Sequence, residues 1–138
     1  EESTGTNKLF NCSAIILTAL TLGNTLSLDE LDASLHPLMT LAITKLFNSN
    51  ENNPKNAQLI FTTHDTNLLS KGGFRRDQIY FIEKDNYEAS HLYSLAEFKE
   101  PGGKKVRKDR SFEEDYIQGR YGAIPFIGDF SKLLSDGK

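Results

Sequence analysis

The chain has 138 residues, with 16 lysines and arginines against 19 aspartates and glutamates, for a formal charge of −3. One cysteine, Cys12, excludes a disulfide framework and a cysteine-built zinc site; it points to a reducing compartment, with the cytoplasm as the expected location. The balanced charge excludes a general nucleic-acid coat, and the uncharged stretch Leu9 to Leu28 is broken by Asn11, Thr18, Thr21, Gly23, Asn24 and Thr25, so no membrane span or membrane partner is expected.

In chain order, polar Ser3-Thr4-Gly5-Thr6 opens a mostly apolar helix predicted over 7–22, which Gly23-Asn24 stops. Thr25 to Leu28 is a short strand running into Asp29-Glu30. Pro37 suits a first helical position, and Leu38, Met39, Ala42, Ile43, Leu46 and Phe47 recur at helical steps. Asn48 to Lys55 is a polar loop, Gln58 to Thr63 a second strand ending at His64-Asp65, and Thr66 to Ser70 a short helix stopped by Gly72-Gly73. Strands over 78–83 and 89–95 form a hairpin around Asp85-Asn86. The alternation predicts an α/β fold with a mostly parallel sheet flanked by helices, over residues 1–98. Residues 99–138 read as a small extension: a basic loop, a capping box at Ser111 to Glu114, a short helix over 115–119, and a Gly- and aromatic-rich tail.

Three motifs could carry chemistry. A buried strand ending in Asp29 then Glu30 suits nucleotide hydrolysis, where one carboxylate holds magnesium through water and the next deprotonates an attacking water. A solvated strand end is the ordinary alternative. His64 ends the next strand, on the same rim of a parallel sheet, where it could bond a phosphate oxygen or the nucleophilic water; a plain strand-end residue is its alternative. Ser3 to Thr6 opens a helix, whose free N–H groups and small residues suit a phosphate, or merely cap the helix.

In order and spacing the three resemble the C-terminal half of an ABC-type ATPase, a partial P-loop NTPase fold. Glu2 to Thr6 resembles the signature motif, Leu26 to Glu30 the Walker B strand with its catalytic Glu, Ala33 to His36 the D-loop, and His64 the switch histidine. "DELDASLHP", "FTTHDTNLL" and "GRYGAIPFIGDF" are phrases shared with bacterial AAA/ABC-like ATPases of the group that holds the overcoming-lysogenisation-defect proteins and several phage-defence ATPases. The likeness extends over nearly the whole chain.

The resemblance implies ATP and Mg²⁺ as cofactors. Glu30 and His64 would be catalytic, Asp29 the metal residue, and Ser3, Gly5, Thr6 and Ser34 would bind the nucleotide. Ser3 and Gly5 would reach the γ-phosphate of ATP held by a second subunit, in a homodimer that sandwiches ATP. A nuclease or toxin effector acting in phage defence is the implied output. Thr4 and Thr6 stand where the signature has Gly and Gln, and His36 where the D-loop has Asp. No G-x-x-x-x-G-K-[ST] occurs; Gly103-Lys104 is followed by Lys105 and lacks the upstream glycine. A chain opening on Glu1 is therefore expected to be a fragment whose partner is a missing N-terminal half with Walker A, and to be inactive alone. The alternative function is a non-catalytic interaction module that binds a partner ATPase or nucleic acid.

Cys12 reads as a core residue, His91 as a strand residue, and Arg75-Arg76 as a surface pair. His36 divides between D-loop duty and helix capping. Lys104, Lys105, Arg107, Lys108 and Arg110 read as a solvated loop, with a phosphate backbone as the alternative target.

Overall fold

A computed structural model describes residues 4–33, 35–99 and 111–124, with side chains from residue 10 onward apart from that of residue 11. The chain forms two compact units, Glu1–Gly73 and Phe74–Lys138. The break in packing thus falls inside the 1–98 segment that the motifs group together.

In the first unit, helix α1 (Thr4–Leu22) starts a turn earlier than the apolar run suggests. Ile16, Ala19 and Leu20 are buried, at the three- and four-residue steps that line one helix face. The helix ends at Gly23, whose φ of 77° is the left-handed conformation that a C-terminal cap requires. The N–H groups of Gly23 and Asn24 both donate to the Ala19 carbonyl, at 2.8 and 3.0 Å. Strand β1 (Thr25–Leu28) follows at once, and helix α2 (Pro37–Asn48) leads to strand β2 (Gln58–Phe61). His36 caps α2: its Nδ1 accepts the Leu38 N–H at 3.2 Å, and Pro37 takes the first turn, where a missing N–H costs nothing.

The α2 crossover makes β1 and β2 parallel, with Thr25, Leu26, Ser27 and Leu28 opposite Gln58, Leu59, Ile60 and Phe61. Leu26, Leu28, Leu59 and Phe61 turn to a core of Ile16, Leu20, Leu31, Ile43 and Ala57, while Thr25, Ser27, Gln58 and Ile60 face outward. Each fully buried Leu or Ile here contributes about 1.5–3 kcal/mol. The loop before β2 is anchored by buried Asn53. Its Nδ2 donates to the Phe47 and Ala57 carbonyls at 2.8 Å each, and its Oδ1 accepts the Ala57 N–H at 2.7 Å. Helix α3 (Asn67–Lys71) closes the unit.

In the second unit a 3-10 turn (Arg76–Gln78) occupies the start of the expected third strand. Strands β3 (Tyr80–Lys84) and β4 (Ser90–Ser94) form the expected hairpin, but as a separate antiparallel sheet rather than an extension of the parallel pair. A five-residue connection permits only the antiparallel arrangement. Asp85 shapes it by accepting the Tyr87 and Ala89 N–H groups at 2.8 and 3.0 Å.

One hairpin face carries Phe81 and Tyr93, whose rings meet those of Phe98, Tyr116 and Tyr121 at centroid separations of 5.3–6.4 Å. Helix α4 (Phe112–Ile117), capped by the Ser111 hydroxyl, and the turn after it pack into this cluster. The Tyr121 hydroxyl donates to buried Asp115 at 3.0 Å, with Arg120 Nε 3.3 Å from the other carboxylate oxygen. The Tyr93 hydroxyl donates to the Tyr121 carbonyl, and Glu83 accepts the Ala123 N–H at 3.0 Å. Residues read from the sequence as an extension thus form part of the hairpin's own core. The basic loop 104–110 and the tail beyond 124 lie outside the described residues.

Candidate functional site

Parallel pairing delivers the ends of β1 and β2 to one rim. Beyond Leu28, opposite Phe61, the chain turns, and the Thr62 N–H still donates to the Leu28 carbonyl at 3.1 Å. The Leu31 N–H returns the bond to the Thr62 carbonyl at 3.0 Å. Between these two bonds lie Asp29 and Glu30. Asp29 Oδ1 accepts the Thr62 hydroxyl at 2.5 Å, and the same hydroxyl accepts the Glu30 N–H at 2.7 Å. Glu30 has φ 48°, a left-handed conformation that disfavours any side chain with a Cβ. Its Oε1 lies 3.7 Å from His64 Nε2, with both side chains open to solvent. The His64 N–H donates to both Asp32 carboxylate oxygens, at 3.3 and 3.4 Å.

The structure therefore brings together Asp29, Glu30 and His64, which the sequence reading put on one rim. It adds two residues that reading passed over, Thr62 and Asp32. Thr62 could have been found from the parallel register, which sets it just beyond the strand, opposite the first carboxylate. Asp32 carried no such signal, because it reaches His64 through a turn rather than along a strand.

Gly5 and Thr6 lie in the first turns of α1, with the Thr6 side chain outside the described residues, and Ser3 and Ser34 lie outside them altogether. His36 acts as a helix cap, the plainer of its two readings. His91 sits on β4 with its Nε2 3.0 Å from Asp85 Oδ2, as a hairpin residue. A groove of about 300 Å³ lined by Ala14, Ile15, Thr18, Ala19, Asn24, Thr25 and Leu26 lies at the opposite end of β1 from the rim.

Magnesium takes oxygen ligands, keeps several of its waters and binds through one or two carboxylates plus substrate phosphates. The exposed Asp29 carboxylate, oriented by a hydroxyl, suits that manner of binding. Among the described residues no three His, Cys, Asp or Glu side chains converge as a cage that would hold a metal by protein ligands alone. Nor is any described helix long and apolar enough to cross a membrane.

A family model described as "AAA domain, putative AbiEii toxin, Type IV TA system" matches residues 1–70. Comparisons with curated proteins and with solved structures gave no match. The matched span takes in α1, β1, α2, β2 and every residue of the rim. With half of its length matched, the half that bears the two strand-end carboxylates and the histidine, this chain belongs to that AAA domain family, a group of ATPase-like nucleotide-binding domains.

Proposed function

We propose that the intact protein carrying this chain is a Mg²⁺-dependent ATPase of the ABC-like kind, in which Glu30 is the general base. The observation that supports this most directly is the register of β1 and β2, which sets Glu30 within 3.7 Å of His64 and Asp29 beside them on one open rim. A water held by Glu30 attacks the γ-phosphorus while the bond from that phosphorus to the β–γ bridging oxygen breaks. The carboxylate takes the water's proton, and ADP leaves with the bonding electron pair. His64 donates an N–H to a γ-phosphate oxygen. Asp29 would hold Mg²⁺, whose charge offsets that of the phosphates. The upstream P-loop half would cradle the α- and β-phosphates, a task for which this chain has no G-x-x-x-x-G-K-[ST].

Ser3, Gly5, Thr6 and Ser34 complete the nucleotide site in this reading, with Ser3 and Gly5 acting across a homodimer that closes on ATP and opens after hydrolysis. The output in this reading is a toxin or nuclease effector under ATP control in phage defence; the family description, with its toxin and its toxin–antitoxin system, supports the toxin side of it. The test is phosphate release by the longest gene product that carries this chain, beside its Glu30→Gln variant. Turnover should fall about 10²- to 10⁴-fold while ATP binding persists. Failure of both proteins to bind ATP would favour the other reading, an interaction module that binds a partner ATPase or nucleic acid.

A further inference from the structure

We infer that Thr62 is a positioning residue, a joint that locks the two rim carboxylates to the end of the neighbouring strand. The inference rests on the reading of Asp29 and Glu30 given above. One residue of β2's end is stitched to four consecutive residues of the facing turn: to Leu28 and Leu31 by its backbone, and to Asp29 and Glu30 by its hydroxyl. The direction of the hydroxyl bonds is set by chemistry. An amide N–H can only donate, so the hydroxyl accepts from Glu30 and its single proton goes to Asp29. Both bonds are short, at 2.7 and 2.5 Å.

The bond to Glu30 has a further consequence. At φ 48° that residue pays a steric cost of about 1–2 kcal/mol relative to ordinary backbone. The N–H to Thr62 bond opposes its relaxation to negative φ, which would swing the carboxylate away from His64. Remove the hydroxyl, and the metal-side and base-side carboxylates lose their common reference point. Displacements on the order of 1 Å at a reacting group cost as much as about 10²-fold in rate.

Valine at 62 keeps the shape and loses the hydroxyl, while serine keeps the hydroxyl and loses a methyl. The experiment compares Thr62→Val and Thr62→Ser with wild type in the longest gene product that carries this chain. It measures kcat, the KM for ATP, the Mg²⁺ concentration for half-maximal rate, and hydrogen exchange at the Glu30 amide. The joint predicts that Thr62→Val lowers kcat about 10- to 100-fold with KM within about twofold. It also raises the Mg²⁺ requirement and speeds exchange at Glu30. Thr62→Ser stays near wild type on all four. Wild-type kcat in Thr62→Val, or equal damage in both variants, overturns the joint, and so does a Glu30 amide that exchanges freely in wild type. If wild type itself shows no turnover, the ATPase reading falls; a Glu30 amide protected in wild type and Thr62→Ser but not in Thr62→Val then upholds the joint by itself.

Discussion

Asn53 offers a sharp test of how the first unit holds β2 in place. Its side chain makes three hydrogen bonds of 2.7–2.8 Å to backbone groups of Phe47 and Ala57, and the residue is 6% exposed. Truncation by Asn53→Ala removes all three, at about 1 kcal/mol net each. It also strands the Ala57 N–H, beside a residue that is itself buried, and such an unsatisfied donor costs about 1–3 kcal/mol. These overlap, because the stranded donor is one end of a counted bond, so the expected loss is about 3–4 kcal/mol. A unit of this size has about 4–11 kcal/mol in hand, so the variant should keep only about 0–8 kcal/mol and unfold at a clearly lower urea concentration. Asn53→Asp keeps the acceptor but, even with its carboxyl neutral, offers one O–H donor in place of two N–H donors, so it should fall between alanine and wild type at a pH where that carboxyl is neutral. Urea unfolding followed by far-ultraviolet circular dichroism reads the change, since α1 and α2 supply most of the described helix. A loss below about 1 kcal/mol for Asn53→Ala would refute the reasoning and mean that the loop finds other partners.

Gly23→Ala forces a side chain into φ 77° and sets its Cβ 2.8 Å from the Lys55 carbonyl oxygen, so a loss of about 2–4 kcal/mol is expected. Gly73→Ala, at φ 67° with nothing within 4 Å of the Cβ, should cost only about 1–2 kcal/mol, and the difference in thermal midpoints isolates the clash. Thr40 is wholly buried in α2 and its hydroxyl meets no partner among the described residues, so Thr40→Val should stabilise by about 1 kcal/mol in the same urea assay. The Tyr93 hydroxyl is pushed up to about 12, first by burial and then by the nearby Glu83 carboxylate, from an ordinary value of 10.0. Because folding favours its protonated form, its contribution is complete below pH 10.0 and is lost as pH rises through 12. Tyrosinate absorbance should lose a late-titrating component in Tyr93→Phe; an unchanged titration curve in that variant would contradict the assignment.

The parallel pair and its rim were legible because their signals are local. Leu26 and Leu28, then Leu59 and Phe61, alternate with outward residues, and each strand runs straight into its polar end. Parallel pairing then needs only the α2 crossover, which Pro37 and the apolar spacing after it announce. The hairpin was also legible, through the Asp85-Asn86 turn, but its separation from the parallel sheet was not, since a strand pattern does not name its neighbour. The packing of 111–124 escaped for a different reason. Tyr116 and Tyr121 join the aromatic cluster through hydroxyl bonds and left-handed turns at Gly119, Gly122 and Ala123, which leave no repeating pattern. Asn53 looked like any other residue in a polar loop, because burial by three backbone bonds has no compositional mark. Thr62 was hidden beside Thr63; only the register tells which hydroxyl faces Asp29.

With Glu30 as the general base proposed above, its left-handed backbone sets stability and chemistry against each other at a single codon. Glycine there would release the steric cost and raise the folded population, so Glu30→Gly should be more heat-resistant than Glu30→Gln, which keeps the side chain and its strain. A library selected for thermal endurance alone would drift toward glycine or asparagine at this position, and away from the carboxylate. Survival of glutamate at 30 through such a selection, when nucleotide turnover is demanded in the same cells, would be the genetic trace of that conflict.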